Sequence, residues 1–484
     1  MSMFKQTLQQ APVVKILINI GACLDIPTGM YIKGAHGEMI LLGGLGPVTA
    51  VVGRGNMFKS TIMHYMKLSA MNRIFSTTQT VSNTFDTEIN IQEPALDRFI
   101  ERFDNLKVRD ILKEGVWVIT DKTIYYANKW YEDLKLFLND KKKNAKNYIV
   151  RTPFLSRDRI TPLEVMIPTF TEVDSFSEFE TEDVAEIQNN NELGDSGGNT
   201  IHMRQGLAKT RFLMEAPTLF GGSNNFLLMT AHMGTDIQMA AGPYAAPPPK
   251  TLQHMKQGEK IKGVTGKFFF LMNNCWHAYK AGLMINQGTK GAEYPRNSEE
   301  TNSPTTDLNL IGLLQMRSKF GPSGYTLDLV VSQTEGVLPT LTEFHYIKTN
   351  ERFGLGGNDR NYFVELYPEV SLSRTTVRGK IDNDIKLQRA INITSELCQL
   401  HQFHRNLREV LCTPKELYEG IKERGYDWDM ILTRTRGWWC FEDEKNPLLF
   451  LSTLDLVNMY RGTYHPYWMN DDKTIKKEYL HNKD

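Results

Sequence analysis

The sequence predicts an α/β protein built on a mostly parallel β-sheet. Between residues 47 and 350, apolar runs typical of buried strands alternate with segments of helical periodicity. The first run, Val48–Val52, leads into a glycine-containing turn and then into a helical pattern over Thr61–Met71. Because strand, turn and helix recur in this order along the chain, we expect a parallel sheet flanked by helices.

The other strands are predicted from the same kind of apolar run. They are Val81–Asp86, Leu163–Phe170, Phe226–Ala231, Phe268–Met272, Leu327–Val331 and Thr342–Ile347. Three polar stretches interrupt them, at residues 188–204, 238–267 and 287–307. The first two are longer than ordinary loops of a compact domain, which predicts that they are functional, disordered or both. The third is interpreted as an exposed insertion.

Composition and charge exclude several classes of protein. Lys and Arg number 56 and so do Asp and Glu, so a strongly basic nucleic-acid binder is not indicated, although a local basic groove remains possible. The basic run Lys141–Asn147 is interpreted as a solvated helix end that could contact a phosphate backbone. The five cysteines form no C-x-x-C pair, which predicts reduced thiols without disulfides or a zinc site. No long apolar run or signal pattern occurs, so we expect a cytoplasmic protein with no membrane partner.

The glycine-containing turn has the features of a phosphate-binding loop, in which backbone N–H groups and the helix dipole bind phosphate oxygens. Lys59 would reach the β- and γ-phosphates, and the Ser60 hydroxyl would hold Mg²⁺. The pattern G-x-x-x-x-G-K-[ST] requires glycine where Phe58 stands, so the loop alone leaves a chance glycine-rich turn open. The loop consists of Gly53, Arg54, Gly55, Asn56, Met57, Phe58, Lys59, Ser60 and Thr61.

Two carboxylate motifs lie at predicted strand ends. A nucleotide hydrolase needs a carboxylate for Mg²⁺ and a group that polarises the attacking water. Asp86 ends the strand after the loop helix and Glu88 follows it, at the sheet edge where ligands bind, so Glu88 could orient the water. Asp174 and Ser175 end another strand in a Walker B-like pattern that places Asp174 near Mg²⁺. Each carboxylate could instead be a helix cap.

A histidine and a lysine-rich loop follow the strand Phe226–Ala231. His232 stands where a γ-phosphate sensor would lie in an ATPase, and a plain polar strand end is the alternative. In a protein that binds nucleic acid, phosphate contacts from such lysines and stacking by an aromatic ring would give affinity without sequence preference. A solvated flexible loop is the alternative. The residues concerned are Lys250, Lys256, Lys260, Lys262, Lys267, Tyr244 and His254.

The ordered set of motifs resembles the RecA-type recombinases, and among them the phage UvsX-like branch. UvsX-type loops also carry Phe before Lys-Ser, so Phe58 becomes a point of resemblance. The resemblance covers roughly residues 34–357 and implies that the loop binds ATP, with Lys59 acting in catalysis. It implies that Glu88 polarises the attacking water and that His232 is the sensor. It also implies that Asp174 is the Walker B ligand of Mg²⁺.

The resemblance further implies a RecA-like P-loop NTPase core with a mostly parallel twisted sheet at residues 47–360. DNA-binding loops are expected near 188–206 and 238–263, an N-terminal oligomerisation segment at 1–46, and an α-rich C-terminal domain at 361–484. The implied activity is DNA-dependent ATP hydrolysis, with filament formation on single-stranded DNA and strand exchange in phage-type recombination, repair and replication. Implied partners are single- and double-stranded DNA, further copies of the chain in a filament or ring, and phage mediator and single-strand-binding proteins. If the chain is phage-encoded, the host cytoplasm is its compartment.

Two features depart from the family's pattern. RecA-type filaments insert basic residues from the neighbouring subunit after a strand corresponding to Leu327–Val331, but Ser332–Glu335 contains no Lys or Arg. The nearest basic residues, Arg317 and Lys319, precede that strand. The tyrosine that stacks on adenine has no clear counterpart in Glu93–Phe99. Two alternatives therefore stay open: a RecA-fold protein that assembles or binds DNA with weakened or lost catalysis, and a ring-forming helicase.

Overall fold

The computed structural model describes residues 16–75, 80–156, 160–190, 201–235 and 250–480. Its strands are β1 (Met30–Lys33), β2 (Met39–Leu42), β3 (Val48–Gly53), β4 (Ser82–Asp86), β5 (Trp117–Asp121), β6 (Ile149–Leu155), β7 (Pro162–Met166), β8 (Thr169–Asp174), β9 (Asn225–Thr235), β10 (Glu259–Ile261), β11 (Asn274–Leu283), β12 (Leu308–Ser318), β13 (Thr326–Ser332), β14 (Gly336–Val337), β15 (Leu355–Gly357), β16 (Tyr362–Val364), β17 (Tyr367–Leu372), β18 (Thr435–Arg436) and β19 (Leu449–Phe450). Its α-helices are α1 (Lys59–Phe75), α2 (Glu93–Ile100), α3 (Ala127–Lys143), α4 (Glu182–Asn190), α5 (Ile201–Gly222), α6 (Gly266–Leu271), α7 (Pro339–Thr349), α8 (Val377–Asn383), α9 (Ile385–Phe403), α10 (Pro414–Glu423), α11 (Trp428–Arg434) and α12 (Thr453–Arg461).

One large sheet forms the centre of the fold. Its strand order is β14-β13-β12-β11-β3-β9-β8-β4-β5, with β10 paired to β9 off this path. The pairings from β11 through β3, β9, β8 and β4 to β5 are parallel, and those from β11 to β14 are antiparallel. The predicted fold class, α/β with a mostly parallel sheet flanked by helices, is confirmed.

Both faces of the sheet are covered, which explains why its strands are continuously apolar. Along β3, Val51 belongs to one apolar cluster, while Ala50 and Val52 belong to another on the opposite face. Helix α1 buries Ile62 and Met66 in the first cluster, whereas α3 and α5 supply aromatic side chains to the second. Because β3 is fully buried between these layers, the turn at its carboxyl end has a rigid base.

The register of the parallel strands gathers their carboxyl ends at one edge. Gly53 at the end of β3 pairs with His232 on β9, and Asp86 at the end of β4 pairs with Asp174 at the end of β8. Side chains that the sequence places at separate strand ends therefore lie side by side. This is the edge at which open α/β sheets bind ligands.

Two of the predicted strands are wrong, and one is displaced. Most of Phe268–Met272 belongs to the short helix α6. The strand of this region, β11, begins after it at Asn274. Thr342–Ile347 lies within α7, whose first turn contains Pro339. Short apolar runs cannot distinguish a buried helix from a buried strand by periodicity. Leu163–Phe170 is divided between β7, which forms a hairpin with β6, and β8.

The stretch at 287–307 is not simply an exposed insertion. Ala292 and Tyr294 are fully buried within it, and the Tyr294 hydroxyl lies 2.9 Å from Nδ1 of His345 on α7. The guanidinium group of Arg374 donates a hydrogen bond to the Ala292 carbonyl. The insertion therefore joins α7 to the residues that follow the large sheet.

The C-terminal residues pack onto this core. Helix α9 contacts α7 and α11, and its Ile391 and Leu397 belong to the same apolar cluster as Val51. Trp439 and Trp468 are almost fully buried, so aromatic residues near the C-terminus form part of a packed core. The domain boundaries at residues 46 and 360 stay predictions.

Some of the predicted segments lie partly outside the residues that the structure describes. Residues 1–15 of the proposed oligomerisation segment lie outside the described residues, as do 191–200 and 236–249 of the two proposed DNA-binding loops. All five cysteines are free and buried. Among the described helices, none is long and apolar enough to cross a membrane.

Candidate nucleotide-binding site

The turn between β3 and α1 has the backbone of a glycine-rich loop although Phe58 interrupts the glycine pattern. A Cβ atom on Gly53 would lie 2.8 Å from the carbonyl oxygen of Ala278 on β11, so a side chain does not fit there. Phe58 adopts a φ of 54°, the left-handed conformation that glycine adopts readily. This conformation costs a residue with a Cβ about 1–2 kcal/mol, and packing of the Phe58 ring against the core offsets part of that cost.

Lys59 begins α1 and is directed back over the loop. Its Nζ donates a hydrogen bond of 3.0 Å to the carbonyl oxygen of Arg54, and only 8% of the residue is exposed. Burial lowers the pKa of Lys59, while the charges of Glu88 and Asp174 raise it. The ammonium group thus belongs to the same electrostatic environment as these two carboxylates.

Asp174 lies at the end of β8, and its two carboxylate oxygens differ in their hydrogen bonding. Oδ1 accepts a hydrogen bond from the Thr230 hydroxyl on β9, and Oδ2 is buried without a hydrogen bond of standard geometry. Burial raises the pKa of Asp174, and the charge of His64 and the hydroxyl groups of Ser60 and Thr230 act in the opposite direction. Ser60 and Asp174, the two predicted Mg²⁺ ligands, are therefore brought together.

The donors at this place fit Mg²⁺, which prefers oxygen ligands and usually keeps several waters beside one or two carboxylates. The uncommitted Oδ2 of Asp174 and the hydroxyl of Ser60 are ligands of that kind. The described residues contain no group of three or more His, Cys, Asp or Glu side chains that could enclose a metal ion by themselves. A cation here would thus depend on phosphate and water oxygens for its remaining ligands.

Glu88 and His232 form a hydrogen-bonded pair at the same edge. Oε1 of Glu88 lies 2.7 Å from Nε2 of His232, and each side chain is a little over a quarter exposed. The hydrogen bond from His232 is the main cause that lowers the pKa of Glu88, and Lys59 and Ser175 lower it further against the effect of burial. Glu88 is therefore an ionised, oriented carboxylate that water can reach.

Asp86 has a different role from Glu88, which the sequence could not show. Its Oδ1 accepts the backbone N–H groups of Glu88 and Ile89, and its Oδ2 accepts those of Asn90 and Ile91, all at 2.9–3.0 Å. Both oxygens are therefore engaged in the turn after β4. Asp86 shapes the backbone that presents Glu88.

Ser177, just after Asp174, connects this edge to the strand that leads into the second long loop. Its hydroxyl accepts the backbone N–H of His232 at 2.9 Å and donates to the carbonyl of Lys262 at 2.9 Å. The backbone N–H of Lys262 in turn donates to the carbonyl of His232 at 2.7 Å. The histidine is thus tied to the described end of the proposed DNA-binding loop.

Lys209 on α5 ties in the helix that follows the first proposed loop. Its Nζ donates to the carbonyl oxygens of Ser177 at 2.6 Å and Gly263 at 2.8 Å, and the residue is 3% exposed. Gly263 has a φ of 62°, and a Cβ there would lie 2.6 Å from the Ser177 carbonyl oxygen. The sequence around Lys209 gives no sign of these contacts, because its partners lie far away along the chain.

An aromatic ring does lie beside the loop helix. A Cβ atom on Gly336 would lie 3.3 Å from Cδ1 of Phe99 and 3.6 Å from Cγ2 of Thr61. Phe99 on α2 therefore stands next to the last residue of the phosphate-binding loop. It occupies the segment in which no stacking tyrosine was found.

Three arginines converge where Ser332–Glu335 itself contains none. Oε2 of Glu335 lies 3.3 Å from Arg102, 3.1 Å from Arg296 and 3.1 Å from Arg378. These guanidinium groups come from the turn just after α2, from the 287–307 insertion and from α8. No local pattern marks them, since they are separated by most of the chain.

Arg317 lies at the opposite edge of the sheet from the loop. Its backbone pairs with Cys275, near the start of β11, whereas Ala278 further along β11 pairs with Gly53. Its Nε donates to the carbonyl of Met272 at 3.2 Å. Arg317 is therefore placed away from the phosphate-binding loop of its own chain.

Together these features define an α/β fold with a glycine-containing loop between β3 and α1, and the order of its elements agrees with the predicted RecA-like core. No family model matches the chain, and no curated protein matches it. Among solved structures 315 chains match, including the crystal structure of the RadB recombinase. That alignment covers 61% of this chain and 92% of the RadB chain, at 12% identity and a TM-score of 0.30. At this identity and TM-score the alignment gives no information about function. The function is therefore inferred from the geometry of the site.

Proposed function

We propose that this chain is an ATP-dependent DNA recombinase of the RecA type, closest to the phage UvsX-like branch. It would bind single-stranded DNA as a filament and promote pairing and strand exchange with a homologous duplex. The observation that carries the proposal is the Glu88–His232 pair, held at 2.7 Å at the sheet edge that also presents Lys59 and Asp174. A carboxylate with this support is what activation of a hydrolytic water requires.

Each residue of the edge has a distinct task in the proposed reaction. The loop backbone and Lys59 bind the β- and γ-phosphates of ATP, while Ser60 and Asp174 hold Mg²⁺. The bound cation would neutralise the negative charge on the phosphate oxygens. Glu88 orients the attacking water, because its carboxylate is ionised and fixed by His232. Phe99 is the candidate to contact the base, since it lies beside Thr61.

The proposed coupling to DNA runs through Ser177 and Lys209. His232 would respond to the γ-phosphate, and its backbone is bonded to Ser177 and Lys262. Lysines 250, 256, 260, 262 and 267 have exposed side chains at the described end of the second loop, where they could contact the DNA backbone. ATP binding would thereby be linked to the arrangement of the two loops.

Assembly of the chain would complete the site. Because Arg317 lies at the far edge of the sheet, it cannot reach the phosphates of its own subunit, but a head-to-tail neighbour would bring it towards them. Lys319 lies two residues further and would accompany it. Such head-to-tail contacts produce either a helical filament or a closed ring.

The first test is ATP turnover with and without single-stranded DNA. We expect DNA to stimulate hydrolysis in the wild type, and Lys59→Ala to abolish it. Lys415→Ala, which changes an exposed lysine on α10, is the matched control and should behave as the wild type. Absence of hydrolysis in the wild type under both conditions would contradict the proposed ATPase activity. The alternative of a RecA-fold protein that only assembles or binds DNA would then remain.

Electron microscopy with ATP and single-stranded DNA tests the assembly. We expect helical filaments along the DNA. Closed rings alone would contradict the recombinase and favour the helicase alternative.

A further inference from the structure

A buried ionic network lies one layer beneath the proposed Mg²⁺ ligands. It consists of Glu172 on β8 with His64 and Lys67 on α1, and no side chain in it is more than 5% exposed. Oε1 of Glu172 lies 2.8 Å from Nδ1 of His64, and Oε2 accepts a hydrogen bond from Nζ of Lys67. Buried charges of this kind are costly unless they are paired, so their presence requires an explanation.

Two neighbours from β4 and β5 complete the network. The Thr84 hydroxyl accepts hydrogen bonds from Nζ of Lys67 and Nε1 of Trp117, at 2.9 and 2.8 Å, and donates to Glu172 at 3.0 Å. The Lys67 ammonium also lies 3.6 Å from the centre of the Trp117 ring. The lysine is thus fixed from several directions, which makes the network a rigid connection between α1 and the sheet.

The network shares its elements and its geometry with the site above it. Ser60 and His64 are four residues apart on α1 and lie on one face of the helix. Glu172 and Asp174 are two residues apart on β8 and point to one face of the sheet. The contact between His64 and Glu172 therefore repeats the contact between Ser60 and Asp174 at a deeper level.

The charge of the network also acts on the site. Burial opposes ionisation of Glu172, but the charges of His64 and Lys67 outweigh it and hold its pKa at about 2. Burial raises the pKa of Asp174 and the charge of Glu172 raises it further, so the position of the network, and not its charge, favours the contact of Asp174 with Ser60.

We infer that Lys67, His64 and Glu172 act as positioning residues that set the distance between the Ser60 hydroxyl and the Asp174 carboxylate, and thereby the affinity of the site for Mg²⁺. This inference rests on the proposed nucleotide site. All three side chains are buried beneath the loop, so they would act on a nucleotide only through Ser60 and Asp174. A pair of nonpolar residues could replace the ion pair of Lys67 and Glu172 and keep the fold, but it would not hold Ser60 and Asp174 at the same distance.

The test is the double variant Lys67→Met/Glu172→Leu, which removes both charges and keeps apolar side chains of comparable size. Binding of a fluorescent ATP analogue is titrated with Mg²⁺, and circular dichroism confirms a cooperative thermal transition. We expect the half-saturating Mg²⁺ concentration to rise about tenfold, as for other residues that orient metal ligands. Binding without Mg²⁺ should stay within about twofold of the wild type, because the loop backbone is unchanged.

Two further variants separate positioning from general stability. Lys141→Met removes another buried lysine, on α3, and should leave the Mg²⁺ titration unchanged. His64→Gln keeps a hydrogen-bond donor for Glu172 and should show a smaller rise than His64→Leu. A folded double variant with the wild-type Mg²⁺ requirement would overturn the inference. A wild type that binds no analogue at any Mg²⁺ concentration would overturn the proposed function instead.

Discussion

Oε1 of Glu88 lies 2.7 Å from Nε2 of His232, and this contact joins the turn after β4 to β9. Because the hydrogen bond lowers the pKa of Glu88, the carboxylate stays ionised below its usual titration range. The pair therefore couples the protonation state of the proposed water-activating group to the position of the second loop.

Replacing His232 with Ala is expected to move the acid limb of ATP turnover to higher pH. Loss of the hydrogen bond lets the pKa of Glu88 rise towards its ordinary value, so the ionised form is lost earlier as the pH falls. Turnover above that limb should also fall by about tenfold to a hundredfold, since Glu88 is no longer oriented. Steady-state rates measured from about pH 3 to 8 check both effects. Asn90→Ala removes a longer hydrogen bond to Glu88, of 3.2 Å, and is the control; equal acid limbs in all three proteins would contradict the role of His232.

Phe58→Gly is expected to retain binding of an ATP analogue within about threefold, because glycine adopts a φ of 54° without strain. Phe58→Val places a β-branched residue at the same φ and should lower the free energy of unfolding by about 1–2 kcal/mol more than glycine does. Analogue titration and urea denaturation measure the two effects. A glycine variant that loses binding would show that the Phe58 ring itself contacts the nucleotide.

Lys209→Met should separate ATP hydrolysis from its stimulation by DNA. Lys209 bonds the carbonyls of Ser177 and Gly263 but lies outside the phosphate-binding edge. We expect basal turnover close to that of the wild type and a loss of DNA stimulation of about tenfold, within the range of ordinary coupling energies. Lys129→Met, on the exposed side of α3, is the control. Full stimulation in Lys209→Met would refute this coupling route.

Burial of Lys141 is expected to make the stability of the protein depend on pH, independently of the proposed nucleotide site. The basic run Lys141–Asn147 was interpreted as a solvated helix end, but Lys141 is 1% exposed and its Nζ bonds Ile167 and Thr169. Burial lowers its pKa to about 7. Between this value and the ordinary one near 10.4 the unfolded chain binds more protons, so this residue makes stability rise with pH.

Lys141→Met should therefore remove that rise between about pH 7 and 10, where its side chain differs in charge between the folded and unfolded states. Urea denaturation at a series of pH values measures it. The exposed neighbour Lys143 provides the control variant Lys143→Met, which should keep the rise. Identical slopes for all three proteins would mean that Lys141 is protonated in the folded state.

Local features of this chain could be predicted, and long-range ones could not. The strand before Gly53, the helix after it and the polar ends of β4 and β9 are encoded by adjacent residues. Asp86 and Glu88 could not be distinguished, because only the backbone of the turn shows that Asp86 binds four N–H groups. Phe268–Met272 was misjudged because a run of five apolar residues suits a buried helix as well as a strand.

Ion pairs between residues far apart in the sequence were the features that could be predicted least. Glu335 meets arginines from positions 102, 296 and 378, and Glu172 on β8 meets His64 and Lys67 on α1. Nothing in the spacing of these residues brings them together, because the strand order determines which of them meet. The structure changes the interpretation of Ser332–Glu335 from a segment that lacks basic residues to one that receives them from elsewhere in the chain.

The central claim is that Glu88 activates the water that attacks ATP, and one measurement tests it most directly. Single-turnover hydrolysis of Mg·ATP is compared between the wild type and Glu88→Gln, with analogue binding measured in parallel and the exposed Glu93→Gln as control. We predict binding within about threefold and a hydrolysis rate lower by about a hundredfold or more, the usual contribution of a positioned acid–base group. Wild-type hydrolysis in Glu88→Gln would contradict the account.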